Sequence, residues 1–307
     1  MAKQRNGSKI KRSPGDQAVQ VLIYFIVGLS AVVTVLPFLY VLAGSFATER
    51  ELTERAFFII PTEFSLNAYK YIIRTGDVFK GLKNSVIVTV IGTAINMFFT
   101  TTLAYPLSRS YLRGRNFFIN MVIITMLFSG GMVPSYLVVS SLGLTNSFWA
   151  LWLPGAISAF NMIIIKNYFQ GIPKELEEAA RVDGSSDLGI FLKIILPLSK
   201  PTIASVSLFY AVGHWNSWFD NHIYTRGESS LTTLQYLLYN YLNESQRLAD
   251  QIKNTSNLSS IESAMETISP KGVRMTITVL ASLPIFAVYP FMQKYFVKGI
   301  MVGAVKG

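Results

Sequence analysis

Long stretches without a single Asp, Glu, Lys or Arg constrain this chain more than any other feature. They run over Gln17–Thr48, Asn84–Ser108, Asn116–Ile165, Pro201–Phe219 and Met275–Gln293. A helix rises 1.5 Å per residue, so about 20 residues cross ~30 Å of hydrocarbon. Only 14% of the 307 residues are charged and 51% are apolar, against about a quarter charged in an ordinary soluble domain. With backbone polar groups needing internal partners in lipid, apolar runs of this length predict helices. The expected fold class is all-α, a polytopic membrane protein.

The third window is too long for one crossing. It is divided by the Gly-, Pro-, Ser- and Asn-containing stretch from Gly130 to Ser147. Six transmembrane helices are therefore expected, near 19–46, 84–107, 117–140, 149–169, 200–221 and 274–295. Orientation follows from Lys and Arg placement. With the N-terminus inside, the inner segments 1–18, 108–116, 166–200 and 294–307 carry 16 basic residues, and the longer outer segments 47–83 and 220–274 carry 11. Both termini are expected to be cytoplasmic. The net charge of +10 is then a topogenic and lipid-headgroup signal rather than a nucleic-acid footprint. The basic residues before the first window flank a run too long for a cleavable signal, and no small-residue cleavage site follows.

The segments divide as follows: a basic N-terminus at 1–18, a first span with an external loop at 19–80, a membrane core at 81–295, and a tail at 296–307. Within the core, 170–198 forms a charged cytoplasmic loop and 221–273 an external loop. The external stretch Glu49–Lys83 reads as a loop with short helices. In the later external loop, Leu234, Leu237, Leu238 and Tyr241 mark an amphipathic piece, followed by a polar run from Asn243 to Ser269. The glycosylation-like triplets at Asn243, Asn254 and Asn257 are too common a pattern to carry weight.

The loop at 170–198 holds the densest local signal. Pro173 suits a first helical turn, and Glu175, Glu177 and Glu178 sit near the positive end of the helix dipole. Ala179 and Ala180 keep that helix slim. Gly184 permits a sharp turn, Ser185 or Ser186 can cap a second short helix, and Pro197 and Pro201 launch the next span. A slim helix–turn–helix exposed to water suits insertion into a partner's groove, although a solvated loop with acidic first turns fits the same residues.

The pattern Glu178-Ala179-Ala180-x₃-Gly184-x₉-Ile194-x-Leu196-Pro197 resembles, at all its fixed positions, the cytoplasmic signature of permease subunits in binding-protein-dependent ABC importers. From about Gly81 onward the chain is similar to the type I permease core of carbohydrate importers, and most to the lipo- and oligosaccharide subgroup. The stretches Gly130-Gly131-Met132-Val133-Pro134, Leu142-Gly143-Leu144-Thr145-Asn146-Ser147, His214-Trp215-Asn216-Ser217-Trp218 and Gly299–Gly307 carry that likeness. Compared with the maltose-type subunit, the external loop before the last span is longer by roughly twenty residues. The resemblance implies a second homologous permease, two ATPase subunits, an extracytoplasmic solute-binding protein and a carbohydrate substrate, in a bacterial or archaeal cell membrane. It assigns ATPase coupling to Glu178, Ala179, Ala180, Asp183, Gly184, Ile194, Leu196 and Pro197, and places the C-terminal tail near the ATPase pair. A permease for another solute, such as a peptide or amino acid, is the alternative.

No G-x₄-G-K-[ST] occurs, so no P-loop is expected here. No cofactor is assigned to this chain, and ATP with Mg belongs on the partner ATPase. Zero cysteines exclude thiolate chemistry and disulfides, and two histidines argue against a histidine-rich metal centre. No G-x-S-x-G or HExxH is present. A membrane enzyme would need His214, His222 and Asp220 to converge, and a passive channel would need no ATPase. Path candidates are His214, Trp215, Asn216 and Trp218 in the fifth span and Asn161 in the fourth. Indole faces stack on sugars and amides bond hydroxyls, but an interfacial aromatic belt accounts for the same aromatics. Trp215 and Trp218, three apart, would share one helical face. Asn96 and Asn161 read first as polar glue between helices.

Overall fold

The computed structural model describes residues 14–226, 228–243 and 270–304. These are mostly helical, and among them the sole β-type pairing is an isolated bridge between Ala47 and Phe64. The residues of the glycosylation-like triplets at 254 and 257, the whole polar run after Asn243, the first 13 residues and the last three lie outside the described residues.

Among the described residues three helices are long and apolar enough to cross a membrane unbroken: α1 (Pro14–Ser45), α4 (Asp77–Ser108) and the last, α15 (Pro270–Ala304). Between α1 and α4 lie α2 (Glu49–Glu54) and α3 (Asn67–Thr75), short helices as the sequence leads one to expect in this loop. The other three expected spans are broken. The segment 117–140 splits into α5 (Arg115–Leu127) and α6 (Met132–Ser141), bent by 117°. The break at Ser129-Gly130-Gly131 falls within the span expected over 117–140, at the start of the Gly130–Ser147 stretch expected to divide the window. The segment 149–169 becomes α7 (Trp149–Trp152) and α8 (Ala159–Gln170), interrupted at Pro154 and Gly155. The fifth, α12 (Lys200–Asn216), stops at Ser217, and α13 (Phe219–Tyr224) follows. At 1.5 Å per residue α12 is about 25 Å long, close to a membrane's apolar thickness. The bend of 82° just before it separates it from the charged loop.

That loop forms α9 (Glu175–Val182), α10 (Asp187–Ile190), a π-helical turn over Phe191–Ile195 and α11 (Leu196–Leu198). Helix α14 covers 234–243. Its residues Leu234, Leu237, Leu238 and Tyr241 pack together against Ile72, Val78 and Ile277, as the amphipathic pattern indicates.

Helix α4 is the central element. It packs on α8 and α12, α12 packs on α15, and α15 packs on α1. The N-terminal half of α4 is pinned to the chain before α14: the Asn84 amide donates to the carbonyls of Ser230 (2.7 Å) and Thr232 (2.9 Å), and the Leu234 N–H donates to the Ser85 hydroxyl (2.8 Å). The C-terminal half of α4 enters a separate core containing Ala104, Tyr105, Leu107, Met162, Ile165, Phe169, Ile190, Phe191, Ile195 and Val206. By contrast α1 has no buried residue before Ala43, so nearly its whole apolar surface faces outward.

Candidate functional site

Two regions combine exposed chemistry with a rigid base, and they lie on opposite halves of α4. The first is the loop at 175–198. The N-cap of α9 is Lys174, so Pro173 sits one residue outside the helix rather than in its first turn. Glu177 and Ala180, three apart, share the inward face and are buried. Glu178, Ala179 and Asp183 point to solvent, with Val182 87% exposed. Gly184 has φ +80°, and a Cβ there would meet no atom of this chain within 4 Å. Space within the chain is therefore open, and the backbone alone demands glycine. Of the two serines, Ser186 caps α10 by accepting from the Gly189 N–H at 3.2 Å. Ile194 and Leu196 are half-buried and Pro197 is exposed. Leu188 and Leu192 add exposed apolar surface at 66% and 51%.

Beneath α9 lies an ion pair that the sequence reading missed. Arg109 at the end of α4 contacts Glu177 through Nη2, and both side chains are nearly fully buried. The contact lies off hydrogen-bond geometry, so charge rather than alignment holds it. Arg109 also donates through Nη1 to the carbonyl of Phe169 at 3.0 Å, the penultimate residue of α8. Its guanidinium lies 5.1 Å from the centroid of the Tyr105 ring, which in turn stacks on Phe191 at 5.0 Å. One cation thus ties α4, α8 and α9 together and, through Tyr105, the π-helical turn. Nearer the surface, Arg181 donates to the Tyr111 hydroxyl (2.8 Å) and to Asp187 (2.7 Å), fixing α9 against α10 across Gly184. The available sequence signal was slight: Glu177 falls on the same face as Ala180, and Arg109 is the first basic residue after α4.

The second region is a cleft of about 420 Å³ between α7–α8 and α12–α13. It is lined among others by Ser158, Asn161, Tyr210, His214, Ser217 and Asp220. Of the path candidates, Asn161 and His214 are brought together here. His214 Nε2 lies 2.6 Å from Asn96 Oδ1, and the Asn96 amide donates to the Gly155 carbonyl, where the fourth segment is interrupted. Asn96 is fully buried; it acts as glue between α4, α12 and that break. A Cβ on Gly92 would come within 2.6 Å of His214 Nε2, so a glycine is what lets the imidazole lie against α4. Tyr210 extends the same arrangement, its hydroxyl 2.7 Å from Thr100 Oγ1 and accepting from the Ser158 N–H at 3.0 Å.

The other candidates lie elsewhere. Trp215 is buried on the far side of α12, among Val273, Ile277 and Ala281, and its indole N–H donates to the Ala281 carbonyl at 3.1 Å. Asn216 is exposed. Trp218 lies beyond the end of α12 and stacks on Tyr239 at 4.0 Å. Trp215 and Trp218 therefore do not share a helical face, because extended Ser217 separates them. His222 lines a different cleft, with Tyr136, Asn146 and Arg226, while Asp220 accepts from the Ser217 hydroxyl at 2.8 Å. The three groups a membrane enzyme would need are not gathered in one cleft. Among the described residues no three His, Cys, Asp or Glu side chains are grouped to hold a metal.

Comparison with known proteins places this geometry in context. The chain is 49% identical over 288 residues to the protein LplC of Bacillus subtilis (strain 168), covering 93% of each. It is 48% identical to the polygalacturonan/rhamnogalacturonan transport system permease protein YtcP of the same organism, covering 95% of this chain and 99% of that one. Among solved structures it matches a bacterial ABC transporter involved in the import of the acidic polysaccharide alginate. The TM-score is 0.82 at 28% identity, and the match covers 94% of this chain and 100% of that one. A family described as the binding-protein-dependent transport system inner membrane component matches residues 8–302, and the chain belongs to that family.

Proposed function

We propose that this chain is the membrane-spanning permease subunit of an ATP-driven carbohydrate importer, with an oligosaccharide as substrate. It forms half of the translocation path and makes no bonds itself. A second, similar permease completes the path. ATP and Mg are bound by two ATPase subunits, and an extracytoplasmic binding protein delivers the sugar. Both termini lie in the cytoplasm of a bacterial or archaeal cell.

The observation that carries this reading is the loop at 175–198. Glu178, Ala179, Val182, Asp183 and Leu188 stand in solvent on a base fixed by buried ionic and aromatic contacts. Exposed apolar side chains beside acidic ones on a rigid helix–turn–helix suit docking into a groove, and rigid attachment is what a motion-transmitting contact requires. The substrate class is supported by the polysaccharides named for the 48%-identical relative and for the structural neighbour. The cleft bearing Ser158, Asn161, His214 and Asp220 offers hydrogen-bonding groups of the kind sugar hydroxyls need.

Reconstitution with the ATPase and binding protein in proteoliposomes tests the assignment. Uptake of labelled oligosaccharide should require ATP and resist competition by peptides or amino acids. Sugar flux without any ATPase would identify a channel instead, and competition by peptides would favour the other solute class.

A further inference from the structure

We propose that the buried Arg109–Glu177 pair is the positioning contact through which motion of α9 is delivered to α4, and through α4 to the cleft at Asn161 and His214. The inference rests on the importer reading above. It concerns a different contact from the exposed residues of the loop, since neither Arg109 nor Glu177 presents its side chain to a partner.

The geometry leads there by elimination among the loop's attachments. Helix α9 joins the core covalently through the turn at 171–174 and through Gly184, and at the surface through Arg181, whose bonds to Tyr111 and Asp187 stand in water, where ion pairs contribute little. Apolar packing of its small inward residue, Ala180, resists separation but offers little grip against sliding. Glu177 alone among the inward side chains engages a residue of α4 by charge, and that residue sits at the very end of the helix. Arg109 is itself immobilised by the Phe169 carbonyl and by Tyr105. A displacement of α9 therefore reaches α4 and α8 together, as movement of one closely packed body. Higher up, α4 carries Asn96, bonded to His214 and to the Gly155 carbonyl, and Thr100, bonded to Tyr210. These side chains hold both walls of the cleft. The pair and the cleft are thus two ends of one helix, with polar contacts to neighbouring helices at each end.

The planar guanidinium matters as well as its charge. Its fork reaches Glu177 and Phe169 at once, which a lysine ammonium on a flexible stem cannot reproduce. Conservative exchange should therefore preserve assembly while loosening transmission.

The test uses the full complex in proteoliposomes and reads sugar taken up per ATP hydrolysed. Arg109→Lys should leave assembly and hydrolysis near wild type and lower uptake per ATP. Glu177→Gln should lower that ratio by about tenfold, the size of an ordinary coupling between sites. Because a lone buried charge can itself prevent folding, Arg109→Gln/Glu177→Gln together removes both charges; it should recover assembly without recovering the ratio. Glu54→Gln serves as control, breaking an exposed pair with Arg50, and should change nothing. A wild-type ratio in Arg109→Lys or in the double variant overturns the proposal, as does loss of complex with a normal ratio in what remains. If the wild-type complex shows no ATP-dependent uptake, the importer reading fails, and not this one alone.

Discussion

At the scale of single residues, Glu51 illustrates how the loop between α1 and α4 is clamped by one carboxylate. Burial raises its pKa, but the Thr62 N–H and hydroxyl, the Glu63 N–H and the Arg55 guanidinium outweigh that and hold it at about 2, against an ordinary 4.5. A carboxylate depressed on folding stabilises above its unfolded pKa, and the benefit fades as pH falls through the folded value. Glu51→Gln should thus lower the melting temperature of the purified complex at pH 7. The gap to wild type should narrow between pH 4.5 and pH 2 rather than persist; thermal scans across that range check it. Gly184 gives a second residue-scale expectation. With no intrachain atom in the way, Gly184→Val carries only backbone strain of ~1–2 kcal/mol, and any larger effect arises from the partner groove. Insertion should be intact and ATP-dependent uptake lost. Uptake and ATPase association both at wild-type level would remove Gly184 from the docking surface.

At the scale of elements, the sequence was legible where one helix states its own pattern. The apolar windows place α1, α4 and α15, and the spacing of Leu234, Leu237, Leu238 and Tyr241 gives the buried face of α14. The turn at Gly184 and a serine cap after it were equally local. What escaped were contacts between distant residues and breaks inside apolar runs. Arg109 reads as a topogenic charge until Glu177, 68 residues later, is seen beside it. His214 and Asn96 are likewise far apart in sequence. The end of α12 at Asn216 has no glycine or proline to announce it, so Trp218 was assigned to a helix it does not belong to. These placements sharpen the path question. Trp215→Leu removes the hydrogen bond to Ala281, a contribution of about 1 kcal/mol, together with aromatic packing between α12 and α15. It should lower thermal stability in detergent while leaving uptake per assembled complex unchanged. Asn161→Leu should do the reverse, since Asn161 lines the cleft. Uptake normalised to complex, measured beside melting temperature, separates the two.

At the scale of the whole molecule, the two largest cores among the described residues are joined by α4, one around Trp215 and Ile277 and one that includes the loop residue Ala180. Orientation was read from charge alone, and reporters fused to either end should both be protected in right-side-out vesicles; exposure of one would overturn the charge-based assignment. Helix α1 stands largely outside both cores, with no buried residue before Ala43, and its main companion is α15, through Phe38 on Phe286 and Gly44 against Met275. That arrangement sets a timetable for biogenesis. The ribosome makes α1 some 225 residues before α15, which at ~5–20 residues per second is roughly ten to fifty seconds. Throughout that interval only the end of α1, where Tyr40 and Ala43 meet Phe57, Phe58 and Leu52, has protein company; the rest, uncharged from Gln17 onward, presents to lipid the apolar surface that lets it wait.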